Sequence, residues 1–310
     1  MHDSKNTVPM AEFTHMGIGG IGFVISNETQ YRFQKDEPAY EPFLVRESIE
    51  TPSISIRVCL ASKDHLNMNT ERHKKIFDSE QSWTISRDRD EYFMTLHPPI
   101  LERPLWVARI ESGFTKVTVY CSEELLGRTN GKGTASNPVR YPLDQILLMY
   151  YLAERQGALF HAAGMSIDGK GYIFPGKSGA GKSTITRQFA GRKNVGLLSD
   201  DRVVVRRIER AFQAFGTPWP GEEGIAKNTS VPLLGIFFIA HASDNEIREI
   251  SRQEALEKLL PVASIPWYDR EVMPDVLQFC ERLISQVPTY ELHFRPDVEV
   301  VDVLKEFVST

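Results

Sequence analysis

The sequence predicts an α/β chain in two parts: a mainly β N-terminal domain over residues 1–126 and a second, α/β domain with a mixed sheet over 139–310, joined by a linker or mobile loop over 127–138. Three observations predict it. The first third alternates apolar and polar residues with period two, as half-buried strands do. Residues 127–138 (GRTNGKGTASNP) are glycine-rich and polar. Beyond them, helical and strand patterns are interleaved around a glycine-rich loop, as in layered α/β architectures.

In the first part, Ile54, Ile56, Val58 and Leu60 share one face of a strand, with Ser55 and Arg57 on the other. Tyr92–Leu96 and Val117–Cys121 alternate in the same way, and Trp83–Ile85 and Leu105–Val107 read as further short strands between polar turns. No chemistry is legible there. In the second part, Leu143, Ile146, Leu147, Tyr150 and Tyr151 recur at helical spacing, and Gly157 suits a stop. Leu233–Ala240 reads as a buried strand, Ser251 and Glu254 as a capping box for a helix to Leu260, Thr289–Phe294 as a strand and Val298–Phe307 as a helix.

Composition narrows the functional classes. A chain of 310 residues with 41% hydrophobic and 25% charged residues can form a substantial core. A formal charge of −5 argues against a nucleic-acid partner. Cys59, Cys121 and Cys280 are odd in number and far apart, which suggests core residues and neither disulfides nor a zinc site. The polar opening, Met1 to Phe13, lacks the apolar core of a signal peptide, and the apolar runs are too short to span a membrane. The expected compartment is the cytoplasm, with no membrane partner. A homo-oligomer stays an open expectation.

The strongest motif is Gly176-Lys177-Ser178-Gly179-Ala180-Gly181-Lys182-Ser183, which fits G-x-x-x-x-G-K-[ST]. Glycines let successive N–H groups point into one concavity, and the following helix N-terminus adds to anion binding. Lys182 can reach the β- and γ-phosphates, and the Ser183 hydroxyl can ligate Mg²⁺. MgATP is therefore the expected ligand, held by residues 176–183 with Thr184 beside them. Gly171–Pro175 reads as the strand before the loop, and Lys182–Ala190 as the helix after it.

Two further groups are drawn to this loop. Leu159–Ile167 reads as a strand joined to Gly171–Pro175 by a turn at Asp168-Gly169-Lys170-Gly171. If Asp168 pairs with Gly171, His161 falls opposite Ser178. His161 is then either a site residue or a strand histidine satisfied by the backbone. Val195–Leu198 ends in Ser199-Asp200-Asp201, two acids at the carboxyl end of a strand, where ligands gather in open α/β sheets. Phosphoryl transfer to a hydroxyl uses one carboxylate near Mg²⁺ and a group that orients or deprotonates the acceptor; the alternative is a solvated turn. A hairpin of Arg202–Ile208 and Ala211–Phe215 would return Gly216–Gly224 (GTPWPGEEG) towards the acids. There Glu222 and Glu223 offer either a second metal contact or a substrate rim, or belong to an ordinary structured loop.

Taken together, His161-Ala162-Ala163-Gly164, the Asp168-Gly169 turn, the glycine loop and Leu198-Ser199-Asp200-Asp201 resemble the HPr kinase/phosphorylase-related proteins. That group shares its nucleotide-binding architecture with phosphoenolpyruvate carboxykinases. The Gly216–Gly224 loop, Val231-Pro232-Leu233 and Phe294-Arg295-Pro296-Asp297 look like the same group, so the resemblance covers about residues 142–300. It implies a P-loop kinase with His161, Asp200 and Lys182 at the transfer site. Asp200 would assist an acceptor serine hydroxyl, and Ser183, Asp201 and Glu222 are the metal candidates. Thr184 stands where the family often has an acid, and the signature linked to phosphorolysis is not found. A serine of another protein or peptide is therefore the expected acceptor, in place of HPr. The alternatives are a small-molecule kinase or carboxykinase-like enzyme, and a nucleotide-dependent regulatory protein with little transfer activity.

Overall fold

The computed structural model describes residues 12–35, 37–45, 53–66, 73–129 and 132–309. The opening stretch read for a signal peptide lies outside them up to residue 11. The chain is mixed α/β, with a mainly β N-terminal region and large mixed sheets. It divides into two compact units: residues 1–16, 21–36 and 44–147, and residues 17–20, 37–43 and 148–310.

The first unit is built on β1 (Glu12–Ile18), β2 (Ile21–Asn27), β3 (Arg32–Phe33), β4 (Leu44–Val45), β5 (Ser53–Leu60), β6 (Lys74–Asp78), β7 (Trp83–Asp88), β8 (Glu91–Leu96), β9 (Trp106–Ile110), β10 (Lys116–Cys121), β11 (Leu126–Thr129) and β12 (Lys132–Ala135). Nine of these form one sheet in the order β4-β1-β2-β5-β10-β9-β8-β7-β6. The alternation expected in β5 holds: Ile54, Ile56 and Val58 are fully buried while Ser55 and Arg57 are exposed. The stretch read as a linker instead carries most of β11 and all of β12, which pair with each other, and β12 pairs with β3 to complete a small separate sheet. Its polar composition misled because a short hairpin can be held by backbone pairing without an apolar stripe in its sequence.

In the second unit, β13 (Gly157–Ile167), β14 (Lys170–Pro175), β15 (Val195–Ser199), β16 (Arg202–Ile208), β17 (Ala211–Phe215), β18 (Ser230–His241), β19 (Glu246–Glu249) and β20 (Thr289–Phe294) form an eight-stranded mixed sheet. Two long strands organise it. β13 pairs with β16 through Gly157–His161 and with β14 through Ala162–Ile167. β18 pairs in turn with β17, β14 and β20. The pairings make β14, β15, β18 and β20 run in one direction, so their carboxyl ends, at Pro175, Ser199, His241 and Phe294, lie along one edge.

The helices are α1 (Lys63–Leu66) in the first unit, then α2 (Leu143–Ala153), α3 (Lys182–Phe189), α4 (Arg252–Leu259), α5 (Met273–Gln286) and α6 (Glu299–Ser309). α3 buries Lys182, Ile185, Thr186 and Phe189, an i, i+3, i+4, i+7 stripe. Ile185 and Phe189 pack with Phe174, Phe237, Phe294 and with Val300, Val301 and Leu304 of α6. Truncating a fully buried phenylalanine such as Phe189 costs about 3–5 kcal/mol, so this layer fixes where the amino end of α3 points. The capping box at Ser251 and Glu254 is present as expected, and α5 supplies a stripe the sequence reading passed over. No described helix is long and apolar enough to cross a membrane. Burial pushes the thiols of Cys121 and Cys280 up to about 12, which fits small core residues.

Candidate functional site

β13 and β14 form the antiparallel hairpin the sequence predicts, but its register differs. Ile167 pairs with Lys170, leaving Asp168 (φ 51°) and Gly169 (φ 79°) as a two-residue turn. Both residues have positive φ, the mark of a tight type I′ hairpin; the expected register also left two residues in the turn, Gly169 and Lys170, one position further along the chain. His161 therefore faces Gly176 and not Ser178: its carbonyl accepts from the Gly176 N–H at 3.1 Å.

The loop that leaves β14 turns at once into α3. Gly179 (φ 81°) and Gly181 (φ 104°) have the left-handed backbone that glycine tolerates best. At Gly181 space is also short, since a Cβ there would lie 3.1–3.2 Å from the rings of Phe294 and His241. Lys177, Ser178 and Gly179 are exposed; Gly176, Ala180, Ser183 and Thr184 are half-buried. Lys182 is only 6% exposed. Its ammonium donates to the carbonyls of Gly176 (3.0 Å) and Lys177 (3.2 Å). Burial lowers its pKa, and the nearby Asp201 charge partly offsets that.

The two acids meet different surroundings. β15 and β16 run antiparallel to the same strand, β13, and the chain between them is nearly continuous: Gly164 pairs with Ser199, the Ala162 N–H donates to the Asp201 carbonyl at 2.9 Å, and His161 pairs with Arg202. Consecutive residues of such a stretch send side chains to opposite sides. Asp201 turns to the loop. Its carboxylate lies 2.6 Å from His161 Nε2, 3.7 Å from Lys182 Nζ and 3.4 Å from Arg202 Nε. Burial pushes its pKa up, but the His161 hydrogen bond and the neighbouring positive charges outweigh this and hold it below the ordinary carboxylate value.

Asp200, expected to face an acceptor, is 1% exposed and sealed from solvent. It accepts three backbone N–H groups: Gly221 (2.9 Å) and Ile225 (3.2 Å) on Oδ1, and Glu223 (2.7 Å) on Oδ2. The β16–β17 hairpin does bring residues 216–224 back to the acids, as the sequence suggests. A Cβ on Gly216 would stand 2.0 Å from the Lys227 carbonyl oxygen and 2.6 Å from that of Leu198, so only glycine fits that crossing. Glu222 is exposed, while Glu223 pairs with Arg187 of α3 at 2.7 Å.

His241, His293 and Arg295 lie at the carboxyl ends of β18 and β20. His241, at the end of β18, reaches the loop: its Nε2 lies 3.4 Å from the Gly179 carbonyl oxygen, and its ring packs on Phe294. His293 pairs with Glu291, and Arg295 with Asp297 and Glu299. Arg202 was missed, although its position next to the acids was the available signal.

The first unit holds a cleft of about 670 Å³ lined in part by Lys75, Asp78, Trp83, His97, Glu102 and Arg103. Lys75 there is already paired with Asp78 at 2.7 Å, and no motif points into it.

No curated protein matches the chain. A family model described as SynChlorMet cassette protein ScmC matches residues 143–295, and to that family this stretch, with the loop, both acids, His161 and His241, is similar.

Proposed function

We propose that this chain is an ATP-dependent kinase that transfers the γ-phosphoryl group to a serine hydroxyl of a protein or peptide. The observation that carries the reading is a convergence: Lys182, Asp201 and His161 meet beside a glycine loop at a helix N-terminus. On this reading the scaffold is an HPr-kinase-like P-loop fold, in which the carboxyl ends of parallel strands carry the site.

The residues fit MgATP. The loop has no room for side chains at Gly181, its exposed segment offers backbone N–H groups, and Lys182 supplies the buried charge. Among the described residues no three His, Cys, Asp or Glu side chains converge as a cage. Mg²⁺ bound with phosphates needs none, because one or two protein ligands suffice; Ser183 and Asp201 are the candidates here, while Glu222 has only its place on the loop to recommend it. The ion would supply charge neutralisation at the phosphates.

The chain's own groups divide the remaining work. Lys182 trades the carbonyls of Gly176 and Lys177 for phosphate oxygens. Asp201, held by His161, orients the acceptor hydroxyl and takes its proton as the serine oxygen bonds to the γ-phosphorus and the bond to the departing ADP oxygen breaks. Asp200 shapes the loop beside it. This assigns to Asp201 the task that the family resemblance implies for Asp200.

γ-Labelled ATP incubated with the protein and a lysate of its source cells tests the reading. A labelled serine in a protein or peptide, lost in Asp201→Asn, is expected. Label confined to small molecules would favour a small-molecule kinase; binding without transfer would favour a regulatory protein.

A further inference from the structure

Residues 37–43 lie more than 100 positions before the glycine loop, yet they belong to the same compact unit. Within them Tyr40 is 4% exposed and Phe43 fully buried. The Tyr40 hydroxyl accepts the indole N–H of Trp219 at 3.1 Å. Trp219 is itself 8% exposed, and a buried indole N–H requires a partner. Pro218 and Pro220 flank it and fix φ on both sides, so anchoring the indole also fixes the course of the backbone into Gly221.

That backbone is the one that holds Asp200. Gly221, Glu223 and Ile225 give it their three N–H groups. Gly221 also packs hard against both acids, since a Cβ there would lie 3.0 Å from Asp200 Oδ2 and 3.1 Å from Asp201 Cβ. Each end of the loop is tied to the sheet, by the Thr217 hydroxyl on the Arg202 carbonyl (2.7 Å) and by the Lys227 N–H on the Leu198 carbonyl (3.0 Å). Tyr40 fixes its crown.

We propose that Tyr40 is a positioning residue of the transfer site: through Trp219 it holds the 216–226 loop in the shape that seats Asp200, and so turns Asp201 towards Lys182 and His161. The inference rests on the kinase reading for its consequence, but not for its geometry. It assigns a part in the site to a segment outside the stretch that matches the ScmC family.

The test uses the full-length protein with Tyr40→Phe, which keeps the ring and removes only the hydroxyl. Residue-resolved amide exchange should show Gly221, Glu223 and Ile225 exchanging about tenfold faster, the equivalent of one ordinary hydrogen bond. The Trp219 indole ¹⁵N–H resonance, assigned from Trp219→Phe, should move as its acceptor is lost. The rate of transfer at saturation should fall while KM for ATP holds. Trp219→Phe should speed the same three amides, and the double variant should add nothing further; it also carries the test if Tyr40→Phe does not fold. Unchanged protection at the three amides, or faster exchange spread evenly over the unit, overturns the proposal. Absence of transfer in the unaltered protein with the exchange result intact overturns the kinase reading alone.

Discussion

The nine-stranded sheet of the first unit and the eight-stranded sheet of the second are written in the same sequence idiom. Both rest on short alternating or apolar strands, such as β5 and β14 with their fully buried Ile54, Ile56, Ile173 and Phe174. They differ in what their strand ends carry. In the second sheet four strands running in one direction finish along one edge, and their next residues are a glycine loop, two acids and an arginine. In the first, the cleft of about 670 Å³ is lined by charges of both signs, one pair of them already neutralised. A cavity gives volume; convergent strand ends give chemistry. The comparison teaches that the candidate site is found from direction and charge before concavity.

The largest effect expected from that contrast is on transfer. Asp201→Asn keeps the shape but removes the charge, and single-turnover transfer should fall about 10²–10⁴-fold; a normal rate would break the contrast by leaving the second sheet without its chemistry. The same variant has a pH signature. Asp201 is held below its ordinary value of 3.8, so its contribution to stability is full above that value and disappears as pH falls through the lower folded one. The gap in unfolding free energy between the native protein and the variant should therefore close only in strong acid.

In the first sheet the expected effect is on folding alone. Ile56→Ala should cost about 2–5 kcal/mol in denaturant unfolding and leave MgATP affinity as it was; a matching loss of affinity would erase the distinction between the two sheets. Lys182→Ala should lower MgATP affinity about 10²-fold by calorimetry, as several charge-assisted bonds are lost. Retained affinity would remove the nucleotide reading altogether. Asp200→Asn puts an amide –NH₂ where an N–H donor already points, which should cost about 1–3 kcal/mol of stability. Arg187→Ala, at an exposed pair with Glu223, should change thermal stability by less than about 1 kcal/mol.

Much of the second unit could be read in advance because its signals are local. The glycine pattern, the start of α3, the strand before it and the capping box at Ser251 each depend on a few neighbouring residues. The hairpin register could not be fixed, since Asp168-Gly169-Lys170-Gly171 admits a two-residue turn at Asp168-Gly169 or at Gly169-Lys170 equally well. Adjacent acids could not be told apart either: Asp200 and Asp201 differ only in which side of an extended stretch they take, and strand phase is invisible without the partner strand. Tyr40 was beyond reach for another reason. Its partner Trp219 is 179 residues away, and no spacing rule spans that distance. The strands β11 and β12 hid behind a polar, glycine-rich composition that fits a linker as well as it fits a short hairpin held by backbone pairing.

The tight turn at Asp168 and Gly169 has a consequence for which length changes the chain can accept. One residue inserted within β13 between His161 and Ile167 would move every side chain before it to the other face of the sheet. His161 would leave Asp201, and a neighbour such as the fully buried Phe160 or Ala162 would be driven towards the loop. The exposed tip is under no such constraint. Extra residues there lengthen the turn without changing the pairing of Ile167 with Lys170, at the cost of the Asn194 side-chain bond to Asp168 (2.7 Å). A tag, a probe or a whole inserted domain therefore has a natural position at Gly169, while the strands on either side behave as a ruler of fixed length.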